Sequence, residues 1–118
     1  EGNADKLAEL LAAAGPKPPA VDDLFKQADI APKQGYKALG LLEKQGRAVK
    51  ASEDFYFEAA ALAALEQAVR DALANGPASA ADLKDAMGLS RKHAIPVLEH
   101  FDDTGVTRRV GDARELAS

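Results

Sequence analysis

Gly46 and Gly105 each close a run of apolar residues at helical spacing and open a short strand-forming segment, and they stand 59 residues apart. Sliding the chain along itself by that distance lays Leu24 on Leu83 and Ile30 on Leu89. It also lays Tyr36, Leu39 and Leu42 on Ile95, Leu98 and Phe101, and Phe57 on Leu116. A fixed internal period marks a repeated structural unit. A chain of 118 residues has room for two small units, so the repeat predicts two similar modules, 1–58 and 59–118.

The order of elements within each repeat follows from periodicity and punctuation. Leu7, Leu10 and Leu11 share one face of a helix over residues 5–14, which Gly15-Pro16 stops, because proline lacks the N–H and fixes φ. A short helix over 21–28 turns Leu24 and Phe25 inward. Pro32 suits the first position of a third helix, with Tyr36, Leu39 and Leu42 inward and Gly46 at its end. Residues 47–57 read as a hairpin around Ser52-Glu53-Asp54. The second copy predicts a helix over 58–75 with Leu62, Leu65, Val69, Ala72 and Leu73 inward, then a short helix capped by Ser79 with Leu83 and Met87 buried. A helix over 91–104 with Ile95, Leu98 and Phe101 inward follows, then a hairpin over 106–116 around Gly111-Asp112. Three helices followed by a two-strand hairpin is the winged-helix pattern. The predicted fold class is therefore mainly α with small β hairpins, in two tandem winged-helix modules.

Catalysis finds no support in the residues. The phosphate-cradling G-x-x-x-x-G-K-[ST] pattern is absent. There is no cysteine, which removes disulfides, Cys-ligated zinc and thiol chemistry. His93 and His100 lie two helical turns apart, about 10 Å along the axis, too far to share a metal. Asp102-Asp103 reads as a solvated helix end. Apolar residues make up 47% of the chain, enough for a packed core, yet no run approaches the roughly 20 residues of a membrane span. The expectation is a cytoplasmic, monomeric, non-enzymatic protein without cofactor or metal. A chain that opens on Glu1 rather than Met reads as a piece of something larger.

The net charge is −4, so any nucleic-acid site must be a local patch rather than a coat. Ser90-Arg91-Lys92 puts two cations in the first turn of a helix, where the macrodipole disfavours them by roughly 0.3–1 kcal/mol. An incoming phosphate reverses that sign. The second hairpin adds Arg108 and Arg109, then Arg114 across its turn. Neighbouring strand residues leave opposite faces, so one of Arg108 and Arg109 faces a ligand and the other clamps the module, with Asp102 or Asp112 as partner. The first module offers Lys33, Lys37, Arg47 and Lys50, but its hairpin turn, Ser52-Glu53-Asp54, repels phosphate. Pro96, inside the last helix, deprives the Lys92 carbonyl of its usual donor.

These residues carry a family resemblance. Ser90-Arg91-Lys92-His93-Ala94-Ile95-Pro96-Val97-Leu98-Glu99-His100-Phe101-Asp102, followed by Thr104-Gly105-Val106-Thr107-Arg108-Arg109-Val110-Gly111-Asp112, resembles the C-terminal end of the SelB family, the bacterial selenocysteine-specific translation elongation factors. Glu53-Asp54-Phe55-Tyr56-Phe57 resembles the wing of that family's penultimate module. The resemblance implies a fragment that grips a selenocysteine insertion (SECIS) hairpin in messenger RNA. The ribosome and selenocysteinyl-tRNA would be partners of the full-length factor, and GTP and magnesium would belong to domains N-terminal to this region. It carries RNA contact over to Ser90, Arg91, Lys92, His93, Arg108, Arg109 and Arg114. The family often has aromatic residues where this sequence has His93 and His100. The rival readings are a winged-helix DNA-binding transcription regulator and a protein-interaction module, which the negative net charge favours.

Overall fold

The computed structural model describes residues 2–117, and the chain divides into two compact units whose boundary falls between Leu62 and Ala63. The first unit holds α1 (Gly2–Ala14), α2 (Val21–Ala28), α3 (Pro32–Lys44), β1 (Ala48–Lys50), β2 (Tyr56–Glu58) and the start of α4 (Ala59–Ala72). Pro32 opens α3, where its missing N–H costs nothing. Leu7, Leu11, Leu24, Leu39 and Leu42 are almost wholly buried, together with the ring of Phe25. Burying a side chain of that size stabilises the fold by about 1.5–3 kcal/mol.

Tyr36 departs from its expected place in this core, being 48% exposed. The reason lies one residue earlier. The Phe25 ring presses against Gly35 so closely that a Cβ there would sit 2.4 Å from a ring carbon. That approach fills the space under α3 and leaves Tyr36 on the rim, edge-on to Phe25 with ring centroids 5.1 Å apart. The hairpin pairs antiparallel, with Lys50 opposite Tyr56 and Ala48 opposite Glu58. Its turn is pinned where the Val21 N–H donates to the Asp54 carbonyl at 2.8 Å.

The second unit holds the rest of α4, then β3 (Ala78–Ser79), α5 (Ala80–Met87), α6 (Arg91–Asp103), β4 (Thr107–Val110) and β5 (Ala113–Leu116). Strand β3 was not expected. It pairs with β5, giving a three-stranded antiparallel sheet in the order β3-β5-β4. Ser79 ends β3 and caps α5, its hydroxyl accepting from the Asp82 N–H at 3.0 Å. Ala72 is exposed rather than inward, while Leu65, Val69 and Leu73 are buried. On α6 the buried stripe is His93, Ala94, Val97, Leu98 and Phe101, with Ile95 only half-buried. The whole is mainly helical with small antiparallel sheets, and among the described residues no helix is long and apolar enough to cross a membrane.

Backbone hydrogen bonds repeat at the 59-residue spacing. Asp29 N–H donates to Lys26 as Gly88 does to Asp85, and Ile30 to Phe25 as Leu89 does to Lys84. Gly46 donates to Glu43 as Gly105 does to Asp102, and Arg47 to Leu42 as Val106 does to Phe101. In the hairpins the spacing changes by one. Ala48 faces Glu58, whereas Thr107 faces Leu116. Leu116 therefore answers to Glu58, not to Phe57 as a uniform 59-residue shift would have it, and Arg114 answers to Tyr56. The second hairpin loop is one residue shorter.

Candidate nucleic-acid interface

The start of α6 follows the left-handed turn at Gly88 and the buried Leu89. Ser90 stands at the N-cap in extended conformation, but its hydroxyl makes no cap bond; its carbonyl accepts from the Ala94 N–H instead. Arg91 and Lys92 follow, both exposed, and no acidic residue stands in that first turn. The helix end thus presents free backbone donors, an unused hydroxyl and two cations on one exposed edge, an arrangement that attracts anions.

Residues opposite one another on paired strands share a face of the sheet. Arg108 lies opposite Glu115, and Arg109 opposite Arg114. On one face Arg108 donates to Glu115 at 2.6 Å, an ion pair open to solvent. On the other, Arg114 turns inward until its side chain is 5% exposed. Its Nε donates to both carboxylate oxygens of Asp102 at 3.0 and 3.2 Å, and its Nη2 donates to Oδ2 at 2.9 Å. The Thr107 hydroxyl, also buried, donates to Asp102 Oδ1 at 2.7 Å. Burial alone would raise the Asp102 pKa. The hydrogen bonds from Arg114 and Thr107, with the charges of Arg114 and Arg109, outweigh it and hold the carboxyl below its ordinary value. Arg109, on the same face, stays exposed.

A family model described as "Elongation factor SelB, winged helix" matches residues 71–116. The selenocysteine-specific elongation factor of Desulfomicrobium baculatum is 33% identical over 104 residues, covering 87% of this chain and 16% of that protein. The same factor of Escherichia coli (strain K12) is 32% identical over 99 residues, covering 83% of this chain and 16% of that protein. The solved mRNA-binding domain of E. coli elongation factor SelB, in complex with SECIS RNA, superposes with a TM-score of 0.82 at 28% identity and covers 98% of both chains. Residues 71–116 thus match the SelB winged-helix family, and the chain as a whole is similar to the SelB mRNA-binding domain. A bacterial selenocysteine-specific elongation factor, EF-Sec, superposes with a TM-score of 0.81 at 22% identity over 100% of this chain and 19% of its own, a likeness of fold. The chain spans only 16% of the length of the curated SelB relatives it matches.

Within this SelB-type unit the seven candidate RNA-binding residues separate. Ser90, Arg91, Lys92 and Arg109 are exposed. Arg108 is exposed but paired with Glu115. His93, placed in the RNA set by resemblance, is 7% exposed on the packed face of α6. Arg114, expected to approach the ligand edge, is drawn inward because its strand is the middle one of the sheet and its inner face meets the end of α6. The clamp expected of Arg108 or Arg109 thus falls to Arg114. Asp102, read as a solvated helix end, is its partner. The usable signal was strand parity: Thr107, Arg109 and Arg114 share the face toward Asp102. Among the described residues no group of His, Cys, Asp or Glu is arranged to hold a metal ion.

Proposed function

We propose that this chain is the part of a selenocysteine-specific elongation factor that grips the SECIS hairpin in messenger RNA, tethering the factor to the message. The observation that carries the reading is the end-to-end likeness to the SelB domain solved with SECIS RNA. The chain is read as two winged-helix modules, 1–58 and 59–118, with RNA held by the second. Ser90, Arg91 and Lys92 at the start of α6 and Arg109 on the wing are its contacting residues. A-form RNA has a major groove too narrow for a helix, so a helix start and a wing suit a hairpin loop or bulge. The reading needs no bound nucleotide or metal in this region. GTP, selenocysteinyl-tRNA and the ribosome belong to the whole factor, working in the cytoplasm.

The test titrates the whole chain with a SECIS hairpin and with the same sequence as duplex DNA. The hairpin binds and the DNA does not. Arg91→Ala and Lys92→Ala each weaken hairpin binding by roughly 1–3 kcal/mol and leave the melting temperature unchanged, since both side chains are exposed. Wild-type affinity in both variants would refute the assignment.

A further inference from the structure

Asp102 sits in the last turn of α6, while Thr107 and Arg114 belong to the two wing strands. One carboxylate therefore ties both strands to the helix whose other end carries Arg91 and Lys92. The tie has little freedom. Arg114 offers a bidentate fork, a geometry that fixes angle as well as distance, and Thr107 adds a third direction. β4 is an edge strand held to β5 by four residue pairs, and β3 adds only two pairs on the far side of β5, so the ladder of so small a sheet fixes the wing only weakly. The tilt of the wing therefore depends on this carboxylate. Arg109 stands directly across from Arg114 on the same face, so the tie also sets where the wing's exposed cation is held.

We infer that Asp102, with Thr107 and Arg114, is a positioning latch: it makes no contact with RNA and sets the wing so that Arg109 and the start of α6 meet the RNA backbone together. This rests on the hairpin-binding reading and adds to it an acidic residue whose role has the opposite sign to its charge. A carboxylate acting on RNA through its field repels phosphate, so its removal would tighten binding. A carboxylate acting through the wing does the reverse.

The experiment measures hairpin affinity of the whole chain well below its melting temperature for wild type, Asp102→Asn, Thr107→Val and Arg114→Lys. Amide hydrogen exchange runs alongside. Asp102→Asn weakens binding at least fivefold although the protein becomes one charge more positive. Thr107→Val, which removes one bond and leaves the ion pair, keeps the fold and weakens binding about two- to threefold. Arg114→Lys keeps the charge, loses the fork and weakens binding to a similar or larger degree. In Asp102→Asn the amides of Thr107–Val110 exchange at least tenfold faster while those in the middle of α6 keep their protection. Hairpin binding by folded Asp102→Asn and Thr107→Val as tight as wild type, or tighter, overturns the latch and leaves the RNA reading standing. Failure of the wild-type chain to bind any hairpin overturns the RNA reading and the latch with it.

Discussion

Glu43 and Tyr56 of the first unit occupy the places that Asp102 and Arg114 take in the second, by the hairpin registers and the repeated turn bonds. Where the second wing is held by an ion pair between a buried arginine and a half-buried carboxylate, the first is held by packing: Phe55, Tyr56 and Phe57 are all buried. Where the second wing leaves Arg109 exposed, the first couples Lys50 to Glu53 at 3.3 Å within its own turn. Arg47, on the same hairpin, reaches back to Asp5 at 3.4 Å. One backbone plan thus carries two chemistries. Apolar packing lets a wing settle by shape. An ion pair fixes it by angle, at the cost of desolvating two charges, and breaking such a pair is far more damaging than never having built it.

The largest effect expected from this contrast is on stability. Asp102→Ala leaves Arg114 buried without its partner and should cost the second unit about 3 kcal/mol or more, a fall in melting temperature of roughly 10–20 °C. The two wings should also loosen at opposite ends of the pH scale. The Asp102 pKa is held below its ordinary 3.8. Its contribution is present above 3.8 and lost as pH falls through the depressed value. Tyr56 is pushed above its ordinary 10.0, first by burial and then by the Glu43 carboxylate. Its contribution is full below 10.0 and lost as pH rises through the raised value. Amide exchange followed residue by residue should show the second wing opening first in acid and the first wing opening first in alkali. Simultaneous opening at both ends would break the contrast.

A smaller effect separates the two arginines that neighbour each other in sequence. Arg109→Ala should weaken hairpin binding by roughly 1–2 kcal/mol, with the slope of log affinity against log salt shallower by about 0.7–0.9, as expected when one phosphate fewer is neutralised. Its melting temperature should not move. Arg108→Ala should alter affinity by less, because Arg108 spends its charge on Glu115, and an exposed pair of that kind contributes only about 0–1 kcal/mol to stability. Titrations at several salt concentrations check both, and equal losses in the two variants would mean that strand face does not sort them.

Much of the fold is legible in the residues alone. Pro32 marks the start of α3, the apolar spacing marks α2, and Gly46 and Gly105 mark both helix ends. The features that escape such a reading depend on pairing across distance. Strand β3 is two residues long and has no alternation to read; it exists because β5 offers it an edge. Tyr36 has the spacing of a core residue, and only the fit of Phe25 against Gly35 puts it outside. The Arg114–Asp102 pair joins residues of opposite charge far along the chain, and the sequence offers Arg108 and Arg109 as equally plausible partners. The missing loop residue in the second hairpin decides the matter, since it places Arg114 rather than Glu115 on the inner face.

The smallest expected effect tests whether charge alone silences the first wing. Glu53 lies in the turn, and its hydrogen bond is the main reason the Lys50 ammonium holds its proton more tightly than usual. Glu53→Gln removes that pairing without shortening the side chain and leaves Lys50 as the counterpart of the exposed Arg109. Both residues are on the surface, so folding should be unaffected. The variant is best made with Arg91→Ala and Lys92→Ala already present, so that the stronger site is quiet. RNA affinity should then rise by about twofold, and its salt dependence should steepen by less than one phosphate's worth. If it rises, the acidic turn is what keeps RNA off the first wing. If it stays flat while the protein remains folded, the difference between the wings lies in shape: a packed aromatic strand does not present a cation as the latched one does, however free that cation is.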